Sequence, residues 1–246
     1  MKTDKRPVGI IGAMDVEVAE LKAALEDSAI ETFAGIEFTC GKLFTQSVVI
    51  AECGIGKINA ARCAQIMYDR FDICALINTG IAGGIANGLS VCDIVVASGL
   101  VQHDFDISQF GYARGEFPGI GVAGTATIFT ADPTLSSIMV AAAADAAGSE
   151  HIHRGIIATG DQFIAKAETK QWLRDEFDAS AAEMEGGAIA HVATLCGVPF
   201  AVIRSISDLA DGSANISYEE FEKKAAQISV QTVFNAMKQL AVIDKL

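Results

Sequence analysis

Residues 47–78 read SVVIAECGIGKINAARCAQIMYDRFDICALIN, and this stretch decides the fold class. Residues 47–52 form an apolar, β-branched run of the kind that buried strands carry. Gly54-Ile55-Gly56 then turns the chain, and 57–71 is alanine-rich with its apolar residues at helical spacing. A second apolar run, 74–78, closes the unit. Strand, glycine turn, helix and strand in that order imply an α/β sandwich.

The same alternation extends in both directions. Further strand-like runs lie at 8–11, 93–97, 155–158 and 198–203, and further helical segments at 134–147, 186–196 and 218–245. Two helix starts carry their own signals. Asp132-Pro133 offers an N-cap with proline at the first helical position, and Ser217-x-x-Glu220 has the form of a capping box. Residues 102–124 have neither periodicity and are rich in Gly, Phe, Asp and Gln, so they are expected to form one long loop. Loops of that length inside a compact domain usually bind something.

Composition narrows the function classes. The chain has 246 residues, 51% hydrophobic and 20% charged, which allows one large core and argues against disorder. A single domain spanning 1–246 is expected. The net charge of -13 repels a phosphate backbone, so nucleic-acid binding is disfavoured. A neutral small ligand suits it. The six cysteines are scattered without a C-x-x-C pair, which reads as reduced thiols. No apolar stretch reaches the roughly 20 residues that span a bilayer, and the short apolar run near the N-terminus does not form a signal peptide. A cytoplasmic protein is expected.

Three tempting motifs fail on context. Gly119-Ile120-Gly121-Val122-Ala123-Gly124 matches the dinucleotide fingerprint in letters but leads into a β-like segment rather than a helix. Gly54-Ile55-Gly56-Lys57 lacks the first glycine and the final Ser or Thr of a phosphate loop. His103, Asp104 and Asp106 have no further cluster to complete a metal site. No cofactor and no metal are implied.

Acidic residues just beyond strand ends carry more weight, because open α/β sheets assemble ligand sites there. Glu17 follows GIIGAM, Glu183 and Glu185 sit in AAEMEG, and Asp208 ends VIRSISD. Taken one at a time, each also fits a first-turn carboxylate held by a helix dipole. Together with their surroundings they resemble the 5′-methylthioadenosine/S-adenosylhomocysteine nucleosidases of the purine nucleoside phosphorylase superfamily. The resemblance runs from Val8 to about Leu240 through GIIGAMDVEV, CGIGKINAA, NTGIAGGI, HDFDISQFGYARGEFPG, ATGDQFI, AAEMEGGAIAH and RSISDLAD, in family order.

The resemblance implies a three-layer α/β/α sandwich with a central mixed, twisted sheet, and hydrolysis of the N-glycosidic bond of 5′-thio-substituted adenosines. By it, Glu17 matches the water-activating carboxylate and Asp208 the acid that protonates the leaving adenine. Glu185 matches the residue that binds the ribose hydroxyls, Met184 lies against the ribose, Phe163 stacks on the purine, and the backbone of Ile164 reads the adenine edge. Ser207 supports Asp208, and Arg204 supports the water pocket. Met14, Ile55, Ile107 and Phe221 line the space for the 5′ group. Phe110, Tyr112 and Pro118 match a loop lent by a second subunit, which implies a homodimer whose residues 102–124 complete the neighbour's site.

Two departures stand out. Ile81 replaces a hydroxyl residue found in many relatives, leaving the backbone N–H groups of Ala82 and Gly83 to serve the nucleophile. Gly186-Gly187 replaces a more helix-favouring pair found in some, which could loosen that helix start. Two other readings stay open: a phosphate-dependent phosphorylase, which would need cationic and hydroxyl groups at the nucleophile, and a catalytically silent nucleoside-binding protein. Release of adenine with and without phosphate separates all three.

Overall fold

The structure, a computed structural model, describes residues 6–208 and 218–242. Strand β1 (Val8–Gly12) pairs in parallel with β4 (Gln46–Glu52) on one side and β5 (Ala75–Asn78) on the other. Helix α2 (Lys57–Phe71) connects β4 to β5, as the opening stretch predicts. The long strand β11 (Phe200–Asp208) adds in parallel to β5.

Side chains alternate across these strands, and both faces are covered. Val8, Ile10, Val48, Ile50, Ala75, Ile77, Ala201 and Ile203 pack toward α1 (Asp15–Ala23), α3 (Pro133–Ala147) and α6 (Tyr218–Val242). Ile11, Val49, Ala51, Leu76, Phe200 and Val202 pack toward α2 and α5 (Gly186–Cys196). Burial on both faces is why the strands read as continuous apolar runs rather than alternating ones. Each fully buried Ile or Leu contributes about 1.5–3 kcal/mol relative to exposure. The expected three layers and mixed sheet are therefore present.

Local signals hold where side chains act on their own helix. Asp132 accepts the N–H of Leu135 at 2.8 Å, and Pro133 opens α3. The turn before α2 has Gly54 and Gly56 at φ +81° and +96°, a region that favours glycine. The capping box falls on Ser217, which lies outside the described residues, as does the end of the last expected helix beyond Val242.

Several elements have no sequence signal. A hairpin of β2 (Glu26–Phe33) and β3 (Ile36–Leu43) joins the sheet antiparallel to β4. Nearly all of β2 is exposed, so its sequence, EDSAIETF, has no buried face to announce it. Its charges suit an edge, where they discourage pairing with other chains.

The sheet also closes on itself. The outer half of β11 pairs in parallel with β6 (Ile81–Gly84), and β6 runs antiparallel to β10 (Ala179–Glu183). β10 pairs with β9 (Ile152–Thr159), β9 with β7 (Ile94–Gln102), and β7 returns antiparallel to β11. Five strands thus form a ring at one end of the sheet. The short β8 (Phe129–Thr130) pairs with β7. Helix α4 (Ala167–Phe177) covers the ring with Leu173 and Phe177.

Residues 102–124 leave β7 as the expected loop, broken by a single 3-10 turn at Ser108–Phe110. The loop packs on itself. Phe105 stacks on Phe117 with ring centres 3.9 Å apart, and Glu116 accepts the N–H groups of Ala113 and Gly124 at 2.8 and 3.0 Å. Gly119, Gly121 and Gly124 all have positive φ within turns, and no helix follows, so the dinucleotide motif is a coincidence of letters. Among the described residues, no helix is long and apolar enough to cross a membrane.

Candidate functional site

The ring and its neighbours bring separate strand ends to one cavity of about 150 Å³. Met14 comes from the turn after β1, Glu17 from the first turn of α1, Ile55 from the turn after β4, and Phe163 from the segment after β9. Ile81, Ala82 and Gly83 of β6 form a wall, as do Met184 and Glu185 after β10 and Ser207 and Asp208 at the end of β11.

Glu17 is buried at the third position of α1. Its Oε2 accepts the N–H groups of Ala13 at 2.7 Å and Met14 at 3.0 Å, and its Oε1 accepts that of Ile81 at 3.1 Å. It thus caps its own helix and also reaches across to β6. Within β6 it is the backbone N–H of Ile81 that reaches Glu17, while Ala82 and Gly83 line the cavity beside it. Burial pushes the carboxyl's pKa up, opposed first by the nearby Arg204 charge and then by the three N–H donors. A raised carboxylate pKa suits a proton acceptor near neutral pH. Room for it comes from absent side chains: a Cβ at Gly80 would sit 2.5 Å from Oε1, and one at Gly12 would sit 3.3 Å from Oε2.

Asp208 is buried at the mouth end of β11. The Ser207 hydroxyl lies 3.1 Å from its Oδ1 and 3.4 Å from the carbonyl of Ala82, which ties the acid to β6. A Cβ at Gly83 would lie 3.6 Å from both carboxylate oxygens, so Asp208 faces that position directly.

Glu183 and Glu185 have different environments. Glu183 points inward: it takes the N–H groups of Glu185 and Gly186 at 3.0 and 2.7 Å, the Thr159 hydroxyl, and the guanidinium of Arg204. Arg204 also donates to Asn78 Oδ1 at 2.6 Å and is fully enclosed. It lies behind the cavity rather than on its wall, and acts on Glu17 and Glu185 through its charge. Glu185 points into the cavity, with Oε1 accepting the N–H of Gly56 at 2.8 Å. Burial first and the Glu183 charge second raise its pKa to about 7.

The glycine pair after Glu185 has a packing reason. A Cβ at Gly186 would fall 2.7 Å from Leu100, and one at Gly187 would fall 2.8 Å from Thr159. Gly187 N–H also donates to Thr159 Oγ1 at 2.7 Å. The pair thus allows close approach of the helix start to β7 and β9.

Met14, Ile55 and Phe163 line the cavity, and Phe163 and Ile55 are 65% and 57% exposed, which leaves their apolar faces available at its mouth. Ile164 is buried beside Phe163. Ile107 and Phe221 are not among the lining residues. Phe110, Tyr112 and Pro118 lie exposed on the loop, away from this cavity. Ala13 and Ala182 also line the site and carry no signal in the sequence, since small residues give none, and Glu183, one of the acidic residues at strand ends, borders it as well. Among the described residues, no Lys or Arg lines the cavity. Of the residues considered as metal ligands, Asp104 pairs with Lys57 at 2.6 Å.

A model of the phosphorylase superfamily matches residues 7–240. The 5′-methylthioadenosine/S-adenosylhomocysteine nucleosidase of Bacillus pumilus is 37% identical over 235 residues, covering 94% of this chain and 98% of that one. The crystal structure of the corresponding nucleosidase from Neisseria meningitidis, in complex with methylthio-immucillin-A, superposes with a TM-score of 0.88 at 35% identity, covering 95% and 99%. A futalosine hydrolase from Helicobacter pylori superposes with a TM-score of 0.85 at 33% identity, covering 95% and 98%.

Proposed function

The chain belongs to the phosphorylase superfamily and, within it, to the 5′-methylthioadenosine/S-adenosylhomocysteine nucleosidases, and from that membership we propose how its own residues carry the reaction. The enzyme hydrolyses the N-glycosidic bond of 5′-methylthioadenosine and S-adenosylhomocysteine, releasing adenine. Asp208 delivers a proton to N7 of the leaving base while positive charge builds on the ribose. Glu17 takes a proton from the water that attacks the opposite face of C1′. Glu185 holds the ribose hydroxyls, with Met184 against the sugar and Phe163 on the purine. Binding of this kind accelerates the reaction only to the extent that it tightens in the transition state.

One observation carries this assignment: the two carboxylates meet the same short strand at different positions. Glu17 takes the N–H of Ile81, and Asp208 faces position 83. Two residues of strand span roughly 7 Å. The two acids therefore meet one wall of the cavity at separate points, as a base for water and an acid for the leaving adenine require.

A phosphorolytic reading finds no support in the cavity wall, where Lys and Arg are absent among the described residues and Glu17 would repel an anion at close range. Adenine release should proceed in phosphate-free buffer and in the presence of a chelator. Dependence on added phosphate would overturn the hydrolytic assignment.

The finer reading includes activity on 5′-deoxyadenosine, a single domain over 1–246, and a cytoplasmic location. It also includes a homodimer in which residues 102–124 complete the neighbour's site. The dimer is supported by Phe110, Tyr112 and Val122, which are 81%, 40% and 72% exposed on that loop. Apolar side chains clustered at a surface mark an interaction site.

A further inference from the structure

Three segments that frame the cavity are joined by a network outside it. Asp104, at the root of the loop after β7, pairs through Oδ1 with Lys57 Nζ at 2.6 Å and accepts the N–H of Asp161 through Oδ2 at 2.9 Å. Asp161, after β9, in turn accepts the backbone N–H of Lys57 through Oδ1 at 2.8 Å. Lys57 is the first residue of α2, and the residue before it, Gly56, donates its N–H to Glu185. The side chains of Lys57 and Asp104 are only 19% and 14% exposed, so the pair is better shielded than an ordinary surface ion pair.

Helix α2 has no capping side chain of its own. The N–H groups at its start are instead met from outside by two carboxylates: Asp161 takes that of Lys57, and Glu185 takes that of Gly56. Gly56 allows this because its φ is +96° and a Cβ there would sit 3.1 Å from Asp161 Oδ1. Asp161 is two residues from Phe163, and Gly56 is next to Ile55, both of which line the cavity.

We propose that Lys57, Asp104 and Asp161 form a clamp of positioning residues that sets the ribose-binding Glu185 and the purine-facing Phe163 in register with each other. Asp161 fixes the start of α2, the start of α2 presents the Gly56 N–H to Glu185, and Asp104 locks both to the loop after β7. The clamp rests on the assignment of Glu185 and Phe163 to substrate binding. It touches no reacting atom, so its loss falls on recognition rather than on proton transfer.

The test compares Asp161→Ala with Asp161→Asn, whose amide oxygen can still accept the Lys57 N–H. Adenine release from 5′-methylthioadenosine is followed as KM, kcat and the pH dependence of kcat/KM. In Asp161→Ala, KM should rise about tenfold, the scale of one lost charge-assisted hydrogen bond, while kcat changes less than about threefold. The alkaline-rising limb should also move to higher pH, because the Gly56 N–H favours the ionised form of Glu185. The other groups facing Glu185, namely Glu183, Arg204, Glu17 and Cys53, are unchanged in the variant. Asp161→Asn should restore KM toward the wild-type value.

If Asp161→Ala does not fold, Lys57→Met serves in its place, with Lys57→Arg as its rescue. A variant with a lowered thermal midpoint but unchanged KM and unchanged pH limb would overturn the clamp, leaving it a purely structural network. Wild-type enzyme that released no adenine would instead refute the functional assignment beneath it.

Discussion

Gly80→Ala tests the geometry of the proposed base without touching the base. The backbone at Gly80 is outside the positive-φ set, so alanine fits its conformation. Its methyl group does not fit the space: an added Cβ would lie 2.5 Å from Glu17 Oε1, 3.0 Å from the carboxyl carbon and 3.3 Å from Oε2. Ordinary nonbonded contact lies near 3.5 Å, so the carboxylate must retreat by about 1 Å. A displacement of that size costs on the order of 10² in rate when it affects a group that must meet a reacting atom. The shift also stretches the 3.1 Å, part-buried bond from Ile81 N–H, which lowers stability as well. Gly80→Ala enzyme should therefore fold with a lower thermal midpoint and release adenine roughly a hundredfold more slowly at saturating substrate. The assay is adenine release together with thermal unfolding of the same preparation. A folded variant whose kcat stays within about threefold of wild type would refute the claim that Glu17 acts from this position.

Glu17→Gln should lose about 10²–10⁴ in kcat, the scale of a missing general base, while still binding a substrate analogue by calorimetry. Normal turnover with slightly reduced stability would leave Glu17 as a helix cap only. Asp208→Asn should lose a similar factor on adenosine-type substrates and still fold; unchanged turnover would remove its role as the acid. For Glu185, whose pKa is pushed up to about 7, the proposed role has the ionised form accept the ribose hydroxyls, so nucleoside affinity should rise with pH through about 7 and level off above it. The same raised pKa means that its contribution to stability is present below the usual glutamate range and is lost as pH rises toward 7. Glu185→Gln should therefore raise the thermal midpoint more at pH 8 than at pH 5, and equal shifts at both would contradict the assignment. Sedimentation should show a dimer at assay concentrations, with Phe110→Ser shifting it toward monomer; an active wild-type monomer would contradict the shared site.

Wherever a signal could be read from adjacent residues, the sequence by itself determined the outcome. Apolar runs covered on both faces marked β1, β4 and β5, helical spacing marked α2 and α5 to the residue, and Asp132-Pro133 marked the start of α3. The order of seven motifs was enough to indicate the family. Tertiary structure alone decided what depends on partners distant in the chain. The four residues of β6 are short and glycine-rich, and they become a strand only because β10 and β11 pair on either side. The N–H of Ile81 reaches Glu17 from 64 residues away, so no local pattern could show that the backbone supplies this bond. Glu183 and Glu185 look alike two positions apart. The chain leaves β10 after Glu183 and Glu185 precedes α5, so one carboxylate turns to Arg204 and the other to the N–H of Gly56. The need for glycine at position 80 likewise comes from a carboxylate on another element. Local preferences fix φ, ψ and the apolar faces, whereas long-range pairing fixes which polar atoms meet, and the chemistry of the site lies in the second.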